Sequence, residues 1–157
     1  MKKIISTLQT QGAPNAGVVF NAILKSGLAT KEATARNTAA LLVALTAPAF
    51  VDMAEYTLER LNAVSEEGAT FGEALRGIFQ AEPHNLKVSQ IAVCTNYPWM
   101  RVSSFNGDLL EFTDPEFSPQ AIRSEVIFSG GVISAVSMKL NGPATTSGWS
   151  DPRPEED

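Results

Sequence analysis

The spacing of apolar residues changes once along this chain, and that change sets the class of fold. From Phe50 to Val64 the positions Phe50, Met53, Ala54, Thr57, Leu58, Leu61 and Val64 recur every three or four residues. This is the period of a helix that buries one face. Asp52, Glu55, Glu59 and Arg60 take the other side. From Leu86 onward the period falls to two, the signature of strands. A run of helices followed by a run of strands reads as α+β, with three to four helices packed on one face of an antiparallel sheet of about five strands.

Punctuation residues divide the helical half. Asn15 is placed to cap a short helix ending at Ser26, with Gly27 as its stop. Thr30 is placed to cap an alanine-rich helix through Ala47, with Glu32 in its first turn. Pro48 either kinks that helix or starts the next near Thr46. Gly68 ends the helix over 49–64. Thr70 and Glu73 then form a capping-box pair that opens a helix carrying Phe71, Leu75, Ile78 and Phe79. Pro83 closes the helical part.

In the second half, Leu86–Thr95 reads as a strand with apolar residues on both faces. Trp99–Phe105 and Asp108–Thr113 flank Asn106-Gly107, a hairpin dipeptide in which both residues are expected at positive φ. Residues 114–119 form a loop. Ile122, Ser124, Val126 and Phe128 then define one face of a strand, with Arg123 and Glu125 facing outward. Val132 to Leu140 alternates as well, so a last hairpin is expected, with a three-residue loop Ser129–Gly131 that pairs Phe128 with Val132 and Ile122 with Met138. The divisions are an extended basic arm over 1–15, a single α+β domain over 16–140 and an irregular acidic tail over 141–157.

Composition narrows the function. The 157 residues are 44% hydrophobic, too apolar for a wholly disordered chain. A chain of this length buries roughly 68–70% of its unfolded surface without a metal or disulfide. Cys94 is the only cysteine and His84 the only histidine. That excludes a disulfide framework and argues against a structural zinc site. A lone cysteine fits a reducing compartment. Lys2 and Lys3 are not followed by an apolar signal-peptide core. The longest apolar run, Ala39–Val51, has 13 residues broken by Thr46 and Pro48, against the roughly 20 a membrane span needs. A cytoplasmic protein, or one within a virus particle, is therefore expected, without a membrane partner.

Charged residues make up only 18% of the chain, against about 25% in an average soluble domain. The net charge of −5 hides an asymmetry. Residues 1–48 hold five bases against Glu32 alone, a net +4, and residues 49–157 carry −9. Opposite ends of this kind attract between copies.

No residue set matches a catalytic, cofactor or metal pattern. Cys94 and His84 as nucleophile and base would need thiolate character and contact, and Cys94 reads instead as a small buried strand residue. Asp108, Glu111, Asp114 and Glu116 match no EF-hand spacing. Gly130-Gly131 follows a strand, but with no helix expected after it a phosphate-binding loop is not the reading. Tyr97, Trp99, Arg101 and Phe105 mix aromatics with a single base and read as packing or interface, not as a base-stacking platform.

Two functions from different classes are consistent with this. The first is a non-enzymatic, self-assembling structural subunit, most concretely a virus or phage particle component, that forms a homo-oligomer. Its expected interface residues are Lys2, Lys3, Trp99, Arg101, Trp149, Asp151, Arg153, Glu155 and Glu156. Weak nucleic-acid contact through the basic first segment is a secondary expectation. The second is a small-ligand-binding protein or enzyme with a pocket between helices and sheet, as in cystatin-like and nuclear-transport-factor-like folds, an analogy of element order.

Overall fold

Ile4 and Leu8 lie one helical turn apart, and burying both makes the first residues helical rather than extended. In the computed structural model, which describes residues 1–82, 87–118 and 122–141, α1 spans Lys2–Thr10 with Ile4 and Leu8 almost fully buried. The expected extended arm is thus replaced by a helix docked into the core. The sparse stripe of two apolar residues hid it among polar neighbours. Gly12, at φ +113, turns the chain out of α1.

Helix α2, Ala16–Lys25, buries Ala16, Val19, Phe20 and Ile23, and Gly27 follows it at φ +80. Helix α3, Ala35–Ala44, begins later than Thr30 because Thr34 is the residue that caps it, accepting from Asn37 N. Thr30 serves Asn37 instead. The buried Asn37 side chain donates to Thr30 Oγ1 (2.8 Å) and Glu32 O (2.9 Å) and accepts from Thr30 N (3.1 Å). Each polar atom of that amide has a partner, which is the condition for burying it. Helix α4, Met53–Leu61, is capped by Asp52, and α5, Phe71–Gln80, by Thr70, whose hydroxyl accepts from Glu73 N. Each such cap contributes about 1 kcal/mol.

The strands are β1 Val88–Cys94, β2 Trp99–Ser104, β3 Leu109–Thr113 and β4 Glu125–Ser129. They form one antiparallel sheet in the order β3-β2-β1-β4. Three consecutive strands with a fourth returning beside the first is Greek-key order. The β2–β3 turn differs from expectation: only Gly107 has positive φ. Gly107 N donates to Ser104 O and Ser104 N to Asp108 O, so Phe105-Asn106-Gly107 is a three-residue loop with glycine in the left-handed position.

The last expected strand is a helix. Helix α6, Gly130–Asn141, starts directly after β4. Alternation over Val132–Leu140 hid a second pattern, since Ile133, Val136, Ser137 and Leu140 have helical spacing, and the first three are buried. The predicted Phe128–Val132 pairing is therefore absent, and Phe128 pairs with Ile91 and Val126 with Val93. The described residues thus form six helices and a four-stranded sheet, where three to four helices and about five strands were expected. The α+β class and the antiparallel sheet stand. Among the described residues, no helix is long and apolar enough to cross a membrane.

Ile91, Val93, Met100, Phe112 and Phe128 share one sheet face and one core with residues of all six helices. Phe71 of α5 meets Phe112 of β3 at 5.3 Å between ring centroids. That face is covered by helices. The opposite face, with Trp99, Arg101, Glu111, Glu125 and Ile127, shares none of its residues with that core.

Candidate functional site

The pairing register builds the uncovered face row by row. One row runs Glu111, Arg101, Ala92, Ile127 across β3, β2, β1 and β4, and the next runs Leu109, Ser103, Gln90, Ser129. Residues opposite one another in antiparallel pairs share a face, so these eight side chains lie on the side away from the core.

Trp99 and Arg101, both expected at an interface, are brought together there with three partners. Trp99 Nε1 donates to Glu111 Oε2 at 3.0 Å. Arg101 Nη2 donates to Glu125 Oε2 at 2.6 Å. The guanidinium carbons of Arg101 and Arg123 stand 4.9 and 4.2 Å from the Trp99 ring centroid, within cation–π range. Trp99 is itself buried, so it acts as the platform beneath the two arginines. Two arginines and two glutamates leave the cluster neutral. Arg101 Nε is buried without an acceptor, an unmet donor in the middle of the face. Leu109 and Ile127 flank the cluster at 52% and 55% exposure.

The rows contain no lysine, and their ionic groups are held against one another. Tryptophan and arginine are enriched and lysine depleted at interfaces, although the glutamates and serines of these rows are residue types depleted there. Arg123 and Glu125 face outward, as expected. What the sequence reading missed is their contact with Trp99 and Arg101, because the strand that carries them returns to pair with β1 across the sheet.

The other expected interface residues fall elsewhere. Lys2 and Lys3 are exposed on α1, which packs against α6 on the helical side. Trp149, Asp151, Arg153, Glu155 and Glu156 lie outside the described residues, as does His84. Cys94 is fully buried at the end of β1, and its thiol donates to Asn96 Oδ1. Asp114 accepts from Glu116 N at 2.9 Å. Among the described residues, no three His, Cys, Asp or Glu side chains converge to hold a metal ion.

A second polar constellation lies where α4 meets the end of β1. Arg60, expected on the solvent side of its helix, is only 2% exposed, whereas Leu58 is 46% and Phe50 89% exposed. Arg60 is drawn inward because it supplies donors to strand-end carbonyls, while Thr57 stays buried and Met53 and Leu61 stay packed on the core as expected; Phe50 precedes the helix. Arg60 Nε donates to Cys94 O (3.0 Å), Nη2 to Thr95 O (3.2 Å) and Nη1 to Tyr56 O (3.4 Å). The guanidinium also sits 3.5 Å from the Tyr56 ring centroid. Glu59 is 3.6 Å away. Burial pushes the Arg60 pKa down, partly offset by Tyr56 and Glu59. Arginine remains charged regardless. Burial also pushes the Tyr56 phenol up. Thr46 Oγ1 spends its one proton on Val43 O, so Tyr56 must donate to Thr46 in their 2.7 Å contact.

No protein-family model matches this chain, no curated protein matches its sequence and no solved structure matches its fold. The functional reading therefore rests on the two sites themselves.

Proposed function

We propose that this chain is a non-enzymatic, self-associating subunit that buries the uncovered face of its sheet against further copies. The observation that carries the reading is the face itself: a neutral, lysine-free set of rows with Trp99 and Arg101 at its centre and half-exposed Leu109 and Ile127 at its flanks. Among the described residues no helix of the main core packs on this sheet face, and its half-exposed apolar side chains are Leu109 and Ile127.

Charge placement supports like-with-like assembly. Lys2, Lys3, Lys25, Lys31 and Arg36 are all exposed on the α1–α3 segment, and Asp52, Glu55, Glu66, Glu67, Asp108 and Glu116 are exposed on the later segments. Copies so charged steer toward one another in opposite orientation. The concrete form of the proposal is a structural component of a viral, phage or bacterial particle, which holds many copies of one chain.

Light scattering across dilution and salt tests the proposal. We expect a multimer that weakens with dilution and forms more slowly at high salt. A monomer at every concentration would remove the reading.

A further inference from the structure

Helix α6 ends beside the last turn of α5, where Asn141 Nδ2 donates to Phe79 O at 2.6 Å. Gln80, the next residue of α5, lines a cleft of about 410 Å³ between α3, α5 and the segment joining α2 to α3. Its volume is in the range of ligand clefts. Arg36 of α3 and Arg76 of α5 both line it, and Leu28 adds an apolar wall.

Both arginines are exposed, and among the described residues neither has an ion-pair or hydrogen-bond partner. This sets them apart from Arg60 and Arg101, whose guanidinium groups are held by carbonyls and by Glu125. Among the described residues Glu32 is the only carboxylate lining the cleft, and exposed Lys31 precedes it in the chain. The cleft therefore presents a net positive charge with two free guanidinium groups.

The sequence after Asn141 supplies the complement. Residues 142–157 lie outside the described residues, and the last seven of them hold Asp151, Glu155, Glu156 and Asp157 against Arg153 alone, a net −3. Ten residues lead from Asn141 to Asp151, a reach of roughly 33–36 Å. Arg76 lies one helical turn before Gln80, about 6 Å along α5. The acids thus reach both arginines without leaving their own chain. A tether this short gives an effective concentration in the millimolar range, which favours the chain's own cleft over that of another copy. Guanidinium groups bind carboxylates through paired N–H donors.

We propose that the acidic segment Asp151–Asp157 docks across the cleft of its own chain, its carboxylates pairing with Arg36 and Arg76. The contact needs no second copy, so it stands independently of the self-association reading. It covers the basic cleft with a strap that salt releases.

Disulfide trapping in the full chain tests the proposal. Gln80→Cys/Ser150→Cys puts one thiol at the cleft and one just before the acids, while Cys94 is fully buried and takes no part. In a glutathione buffer at low salt and micromolar protein, we expect an intrachain disulfide, read by mass. Adding Arg36→Gln/Arg76→Gln should lower its effective concentration by about five-fold or more, the loss of two exposed ion pairs. High salt should act in the same way, and Arg36→Lys/Arg76→Lys should recover most of the trapping. Lys2→Gln/Lys3→Gln removes the same charge from α1 and should leave the trapping unchanged. Circular dichroism establishes that each variant is folded. Trapping unaffected by the Arg36→Gln/Arg76→Gln pair, an equal loss from the α1 pair, or disulfides formed only between chains overturns the proposal.

Discussion

The junction of β4 and α6 gives a sharp test of the fold, because two adjacent glycines there are predicted to behave oppositely. At Gly130 an added Cβ would lie 2.6 Å from Val88 O and 3.1 Å from Ser89 O. Both obstacles are backbone atoms at the irregularity in β1, where the register shifts between Val88 and Gln90. Neither can rotate away. Gly130→Ala must push α6 off the sheet or displace the bulge, an overpacking cost of about 1–3 kcal/mol. At Gly131 the nearest atom to an added Cβ is Ser129 Oγ at 3.7 Å, ordinary contact. Gly131→Ala gains roughly 0.5–1 kcal/mol from the reduced entropy of the unfolded chain and better helix propensity. The two variants, isomeric in composition, should thus differ by about 1.5–4 kcal/mol. For a chain of this length each kcal/mol moves Tm by roughly 2–4 °C. Urea unfolding at one low protein concentration reads the difference without interference from association. If Gly130→Ala is as stable as Gly131→Ala, the helix does not begin against β1 as described.

Other consequences follow from single side chains. Asn37→Leu leaves Thr30 N and Glu32 O without their partner and should cost about 2–3 kcal/mol in urea unfolding, with faster amide exchange over residues 30–34; an unchanged stability would contradict the buried network. Because the folded-state pKa of Glu59 is raised above its ordinary 4.5, the folded chain holds that proton more tightly. Its contribution to stability is therefore full below pH 4.5 and is lost as pH rises through the folded value. Glu59→Gln should flatten that decline and be no less stable than the wild type at pH 7, and a variant destabilised at pH 7 would show that the Arg60 contact outweighs burial. Cys94, fully buried, should resist thiol reagents until the chain unfolds, so rapid labelling of the native protein would place it wrongly.

Legibility of the fold followed the strength of each local signal. Thr70 with Glu73 and Gly27 after α2 mark their helix ends within a few residues, and Asn106-Gly107 marks the place of the β2–β3 turn though not its type, since Asn106 does not take positive φ. The errors came where a short segment fits two periods. Val132–Leu140 fits both two and 3.6, and the choice was decided by Gly130 running from β4 straight into α6 against β1, a long-range contact invisible in the local pattern. Arg60 was misplaced for a related reason: an apolarity count sets charged residues outside, whereas the carbonyls of Cys94 and Thr95, more than thirty positions away, draw it in. The outer face was half legible. Trp99 and Arg101 stood out by type, but Arg123 and Glu125 join them only through the Greek-key return of β4.

The central claim is that the uncovered sheet face is where copies meet. Its most direct test is the molar mass by light scattering of the wild type beside a Leu109→Asp/Ile127→Asp variant. Both residues are about half exposed, so the substitutions should leave the fold intact, while burying the new carboxylates in an interface would weaken association by about 100-fold or more. The account predicts a concentration-dependent multimer for the wild type and a folded monomer for the variant. A variant that retains the wild-type mass at every dilution would contradict it.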